Sequence, residues 1–319
     1  MNFWDFGLPL LVSFGISLLL GRFIIPFLRQ VKAGQSIREE GPQSHLAKAG
    51  TPTIGGVIFL LASLISLLIF RKLNLESLSL MGAALAFGCI GFIDDYIKVV
   101  NKRNLGFTSK QKLVAQILVS LLLIVLLSKQ GRLSQNLFIP ILKESVYVGW
   151  FLIPFAVFVM VGTVNAVNLT DGLDGLSTSV TLVVLGFFAL VAYRLDRYFV
   201  VFFALVLMGA LGGFLYYNKY PAKVFMGDTG SLALGGAVVA LAFSLDLPLI
   251  LPIAGGIYFI EALSVIVQVA YFKSTGKRIF LMSPLHHHYE QKGYRETQIV
   301  ALFSFVQLIL CLLAYFMIF

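Results

Sequence analysis

Three groups of aspartates carry most of the chemistry open to this chain. Asp94 and Asp95 sit in Gly91-Phe-Ile-Asp-Asp-Tyr96. Asp171 and Asp174 sit in Asn165-Ala-Val-Asn-Leu-Thr-Asp-Gly-Leu-Asp-Gly175, and Asp228 in Phe225-Met-Gly-Asp-Thr-Gly-Ser231. Each group falls where an apolar run begins or ends, and ionisable groups at the edge of a bilayer are costly enough to imply a task. Carboxylates gathered on one side repel phosphate unless a cation intervenes. Mg²⁺ suits that role, held by one or two carboxylates together with phosphate oxygens. Asp171 and Asp174, three apart, share a face if their turn is helical. Neighbours such as Asp94 and Asp95 point about 100° apart on a helix, so one can serve a cation while the other takes a proton. The plainer alternatives are an Asn/Asp/Gly turn between helices and a solvated helix end.

Basic, aromatic and histidine residues extend the pattern. Lys110 and Lys112 open an apolar run in Gly106-Phe-Thr-Ser-Lys-Gln-Lys112 and suit phosphate, or simply a basic loop. Lys48 lies in His45-Leu-Ala-Lys-Ala-Gly-Thr-Pro-Thr-Ile-Gly-Gly56, where Gly55 and Gly56 allow close backbone approach. Asp228 precedes an apolar run whose opening amides would favour an anion. Phe225 in the same loop has the ring to stack on a base or to anchor at the interface. Asn218 follows Tyr216 and Tyr217. Ser283-Pro-Leu-His-His-His-Tyr-Glu290 offers His286, His287 and His288 for phosphate recognition or acid–base work, although consecutive residues do not share a helical face. Glu261 lies deep in an apolar run and is expected to hydrogen-bond a neighbouring helix.

The elements that must position these residues are membrane helices. The 319 residues are 59% hydrophobic and only 12% charged, with mean hydropathy +0.92. Apolar runs recur throughout and predict an all-α, polytopic integral membrane protein with about ten transmembrane helices. The expected spans are 6–28, 53–70, 78–97, 113–128, 147–166, 175–193, 198–217, 230–246, 248–271 and 298–318, in a single domain over 1–319. The ten-residue alternation of a membrane barrel is absent. The long polar connections carry seventeen of the 24 Lys and Arg residues, including Lys32, Arg38, Lys98, Lys102 and Arg103. The short connections carry the other seven, Arg132 among them. By the positive-inside rule the polar side faces the cytoplasm and both termini are extracytoplasmic. No cleavable signal peptide is expected, because Asp5 rather than a basic stretch precedes the first run. The net charge of +9 is divided among short loops, which argues for anionic lipid or phosphorylated substrates over nucleic acid. Cys89 and Cys311 lie inside apolar runs and read as small buried hydrophobes. Residues alone reach Mg²⁺-assisted phosphoryl chemistry at the cytoplasmic membrane surface.

From end to end the motifs resemble the polyprenyl-phosphate N-acetylhexosamine-1-phosphate transferase superfamily: Lys48 to Gly56, Asp94-Asp95, Asn165 to Gly175, Phe225 to Gly236 and the histidine run follow in family order. The uninterrupted histidine triplet favours the muramoyl-pentapeptide branch, and Ile54, where many members have Met, disturbs no assigned role. The resemblance implies transfer of phospho-MurNAc-pentapeptide from UDP-MurNAc-pentapeptide to undecaprenyl phosphate, giving lipid I and UMP, at the bacterial cytoplasmic membrane. It implies ten helices, a homodimer, and a bent ninth helix beside a groove for the lipid tail. By matched positions, Asp228 would bind Mg²⁺, Asp94 would act as the base and Asp95 would lie near the same phosphate. Asn168, Asp171 and Asp174 would line the cleft, and Phe225 would stack on uracil. Lys48 and Thr53 would face the nucleotide. Lys112 and His286 would hold phosphates, with Asn218, His287 and His288 on the substrate side.

Two other readings remain. A sister enzyme transferring GlcNAc-1-phosphate would differ in sugar recognition, expected in the 272–297 loop. A cation-coupled transporter would place its acidic residues at mid-bilayer, whereas only Glu261 is deep here.

Overall fold

The computed structural model describes residues 3–31, 33, 48, 50–72, 74–101, 105–131 and 133–319. Lys32, Arg38, His45, Lys102, Arg103 and Arg132 from the sequence motifs and charge count lie outside the described residues.

The apolar runs fold as helices throughout: α1 (Phe3–Gln30), α2 (Gly56–Ile69), α3 (Leu75–Val100), α4 (Ser109–Lys129), α5 (Leu152–Thr170), α6 (Leu176–Arg194), α7 (Tyr198–Asn218), α8 (Gly227–Ser244), α9 (Leu251–Ala254), α10 (Gly256–Thr275), α11 (Leu285–Gln291) and α12 (Glu296–Ile318). Among the described residues, nine helices are long and apolar enough to cross a membrane. Each of the ten expected spans contains a helix. The second is short: α2 has 14 residues, about 21 Å at 1.5 Å per residue. The ninth is interrupted at Gly255, between α9 and α10. Gln307 of α12 spans that break, its side chain donating to Ala254 O at 2.7 Å and accepting from Ile257 N at 3.1 Å. The backbone groups freed by the interruption are thereby satisfied inside the protein, as a hydrocarbon setting requires.

One element departs from the all-helical expectation. The connection after α4 forms an antiparallel hairpin, β1 (Asn136–Ile139) with β2 (Glu144–Tyr147). Each strand is four residues long, and the two satisfy each other's backbone groups.

α8 lies at the centre. Its apolar window is 89% buried, against 28% for α1, α4 and α12, and it packs against α2, α3, α5 and α6. Small residues make this possible. A Cβ at Gly235 would meet Val164 of α5 at 2.6 Å, and one at Gly236 would meet Phe87 and Ala83 of α3 at 2.6 and 2.8 Å. Without hydrophobic drive between helices in lipid, such close backbone packing is a principal source of association. Gly91 of α3 matters most for the site: a Cβ there would overlap the Asp228 carbonyl. The helix carrying Asp94 and Asp95 therefore reaches the N-terminus of α8 in direct backbone contact.

Candidate active site

Asp94, Asp95 and Asp228 converge: one oxygen from each lies within 4.8 Å of the others. Asp94 and Asp95 do not end the third helix, as the sequence suggests, because α3 continues to Val100. The extra turn brings Lys98 back over them, 2.6 Å from Asp94 Oδ2 and 3.8 Å from Asp95 Oδ1. Lys98 also touches Asp228 Oδ2 at 2.9 Å, and Lys112 reaches the same oxygen at 2.7 Å. Thr108 sets Lys112 in place by capping α4: its side chain accepts from Gln111 N, and Gln111 accepts from Thr108 N. Asn168 of α5 donates to Asp228 Oδ1 at 2.9 Å and to Ser231 Oγ at 2.8 Å. If all are ionised, three carboxylates and two ammonium groups leave one uncompensated negative charge.

The three aspartates are not equivalent. Asp95 Oδ2 accepts from Thr229 N and Thr229 Oγ1 at 2.9 and 2.8 Å, and Asp95 Oδ1 from Asp228 N at 3.2 Å. The amides that open α8, expected to receive a ligand anion, are thus capped from within by Asp95. Its carboxylate satisfies the helix terminus and complements its dipole. Asp94 Oδ1 accepts from Phe107 N at 2.7 Å, which ties the α3–α4 connection to the cluster. Thr53 borders the same spot: a Cβ on Gly227 (φ +72°) would lie 2.5 Å from Asp95 Oδ2 and 2.7 Å from Thr53 Oγ1. Only glycine suits that combination of left-handed backbone and crowding.

Asp171 and Asp174 do not share a helical face. α5 ends at Thr170, Asp171 caps it, and Asp174 lies in the following turn. Burial, and then the charges of Asp228, Asp95 and Asp174, push the Asp171 carboxyl up to about 8. Asp174 is buried and accepts from Lys48 Nζ at 2.8 Å and from Ala222 N at 2.9 Å. Lys48 also pairs with Glu296 Oε2 at 2.7 Å. Burial alone would lower the Lys48 ammonium, but its hydrogen bonds and charge attraction to Asp174 and Glu296 outweigh that and raise it.

Phe225 is half-buried. Its N–H donates to Pro52 O and its carbonyl accepts from Gly55 N, at 2.8 and 2.9 Å. Both polar atoms of the Asn218 side chain are engaged inside the fold: Oδ1 accepts from Thr178 Oγ1 and Nδ2 donates to Val224 O. The histidine run forms the short helix α11, in which the His286 and His287 rings lie 4.2 Å apart and each histidine has a partner of its own. His286 is fully buried against Glu261. His287 Nδ1 lies 2.6 Å from Glu290 Oε2. His288 Nδ1 accepts from Leu281 N at 3.1 Å, and burial with the nearby Lys292 charge lowers its affinity for a proton.

Residues 77–246 match the family model described as glycosyl transferase family 4, a stretch holding all five aspartates. Over 306 residues the chain is 50% identical to the phospho-N-acetylmuramoyl-pentapeptide-transferase of Clostridium novyi (strain NT), covering 96% of this chain and 94% of that protein. It is 49% identical over 306 residues to the protein of that name from Caldanaerobacter subterraneus subsp. tengcongensis, covering 96% of each. Against the one from Halalkalibacterium halodurans it is 49% identical over 314 residues, covering 97% of this chain and 96% of that protein. The chain belongs to the phospho-N-acetylmuramoyl-pentapeptide-transferase family. It is a multi-pass membrane transferase.

The geometry of this transferase adds residues that sequence reasoning passed over. Lys98 was visible only as loop charge, yet its spacing of three and four from Asp95 and Asp94 is the helical signal for an ion pair. Ser231 and Glu296 carried no local signal, since each meets its partner only through helix packing. The Glu261 expectation holds in outline: its partner is on a neighbouring helix, and that partner is a histidine of the run.

Proposed function

We propose that the cluster of Asp94, Asp95 and Asp228 is the catalytic centre of a phospho-MurNAc-pentapeptide transferase, using undecaprenyl phosphate as acceptor and releasing UMP with lipid I. The observation that carries this reading is the meeting of three carboxylates and two lysines from α3, α4 and α8 at one helix terminus. The relatives' names supply the substrate class. In keeping with the charge count of the connections, we read this end of the bundle as cytoplasmic, both termini as extracytoplasmic, and the chain as one catalytic unit of a homodimer in the bacterial inner membrane.

The donor set fits Mg²⁺: it is all oxygen, compact, and short of one positive charge. Asp228 would hold the ion, with Asn168, itself bonded to Ser231, fixing its carboxylate. When bound, Mg²⁺ supplies neutralisation of phosphate charge and alignment of two anions. In the reaction, an oxygen of the lipid phosphate forms a bond to the sugar-bearing phosphorus. The bond from that phosphorus to the bridging oxygen breaks, and UMP leaves with the electron pair. Any proton on the attacking phosphate passes to Asp94, because Asp95 is committed to the amides of α8. Lys98 and Lys112 are the cations within reach of the transferring phosphates, and positioned charge of this kind is the main catalytic resource in phosphoryl transfer. Lys48, Asp171, Asp174, Thr53 and Phe225 would receive the nucleotide end, and His286 with its neighbours the phosphates and sugar.

Purified protein in detergent, given undecaprenyl phosphate, should release UMP from UDP-MurNAc-pentapeptide only with Mg²⁺ present. Equal or faster release from UDP-GlcNAc would move the assignment to the sister activity, and no release from either would end it.

A further inference from the structure

Glu261 and His286 form a fully buried pair joining α10 to α11. Glu261 Oε1 accepts from His286 N at 3.1 Å, and Oε2 lies 3.0 Å from His286 Nδ1. The other ring nitrogen, Nε2, is buried without a hydrogen-bond partner among the described residues. It is aimed at the turn after α5: a Cβ on Gly172, next to Asp171, would overlap Nε2. A buried polar atom left unpaired is expensive, and here it points from a carboxylate-braced ring to the edge of the aspartate cluster.

We propose that Glu261 is a positioning residue for the transfer reaction: it holds His286 with the proton on Nδ1, so that the bare Nε2 faces the Asp171–Gly172 corner and accepts a hydrogen bond from an O–H or N–H of the arriving nucleotide-sugar. This rests on the reading of the site given above. A carboxylate that already accepts the backbone N–H of the same residue can only accept from the ring. That selects the Nδ1–H form, and orientation of a histidine through its far nitrogen is how such rings are tuned. Glu261 does not touch substrate.

A purely structural role would make the pair a pin for the 276–295 segment. Gln268 of α10 already pins that segment, accepting from Ile279 N and Phe280 N and donating to Phe280 O, each at 3.0 Å. The two roles therefore separate. In Glu261→Gln an amide N–H₂ would face Nδ1 and drive the ring proton to Nε2. The expected result is a fall in kcat of about tenfold or more with KM for the UDP-sugar little changed, and partial recovery in Glu261→Asp. Gln268→Ala should lower thermal stability while keeping kcat near the wild-type value. Gly172→Ala, which displaces the ring from the other side, should resemble Glu261→Gln.

Long-range ¹H–¹⁵N spectra of protein labelled at its four histidines, with His286 assigned by substitution, supply an arm independent of activity. Wild-type His286 should carry its proton on Nδ1. A wild-type Nε2–H form with a bare Nδ1 would overturn the proposal. So would a Glu261→Gln protein whose activity falls only with its folded fraction, as in Gln268→Ala. If wild-type protein releases no UMP, the transferase reading fails, and the spectra still decide whether Glu261 sets the ring.

Discussion

The aspartate–lysine cluster and the histidine segment occupy the same end of the bundle and are built on opposite plans. In the cluster, residues from α3, α4, α5 and α8 converge on one carboxylate, and every oxygen of Asp228 has a partner. In α11, three consecutive histidines take three different partners, Glu261, Glu290 and the Leu281 amide, and His286 alone of the three is fully buried. Convergence from four helices needs the whole bundle to be assembled, and it places opposed charges before any substrate arrives. Separate partners for residues of one turn need only a local helix, and its orientation depends on two polar anchors from α10. The first plan suits charge neutralisation, in which fixed groups act without reorganisation. The second suits recognition, in which each ring is held by its own partner.

The sharpest test of this contrast is within the cluster itself. Asp228→Asn should abolish measurable turnover, a loss of at least 10²–10³, because it removes the carboxylate on which all the partners meet. Asp94→Asn should leave a remnant, since a phosphate nucleophile is already anionic near neutral pH and has little proton to give up. Equal losses in UMP-release assays at saturating Mg²⁺ would erase the ranking.

Lys98→Met probes the preassembled charge. It leaves three carboxylates facing one ammonium and should destabilise the Mg²⁺-free protein by about 2 kcal/mol. Added Mg²⁺ should raise its melting temperature more than that of the wild type. An identical Mg²⁺ response in both proteins would show that the lysine and the cation do not share the site.

Lys48→Gln should act at the nucleotide end. Asp174 and Glu296 would lose their common cation, so KM for the UDP-sugar should rise by more than kcat falls. A change confined to kcat would place Lys48 with the reacting phosphates instead.

The smallest effect concerns pH. The Asp171 carboxyl is raised to about 8 by burial and its acidic neighbours. Its neutral form therefore favours folding most below the ordinary carboxylate range, near 4. That contribution is lost as pH rises through about 8. In Mg²⁺-free detergent, Asp171→Asn should flatten the decline in melting temperature between these limits. Parallel pH curves for variant and wild type would contradict the assignment.

Much of this was legible beforehand because lipid imposes simple rules. Long apolar runs had to become helices, and each of the ten expected spans contains one. The hairpin after α4 escaped notice because its strands are four residues each and neither alternates apolar with polar residues. Family likeness implied a bent ninth helix, but neither its interruption at Gly255 nor the support from Gln307 of α12, 52 positions away in the chain, was legible.

The amino-acid order by itself determined which residues are polar, which runs must cross a membrane, and that carboxylates, lysines and histidines were available for phosphate chemistry. Only the tertiary structure decided their partners. Asp95 caps α8, Lys98 joins a site it did not advertise, and His286 alone of the three histidines is fully buried, against Glu261. The reason is geometric. Side-chain direction on a helix follows from local spacing, but the meeting of α3 with α8 depends on glycines that let two backbones touch, across more than a hundred residues of intervening chain.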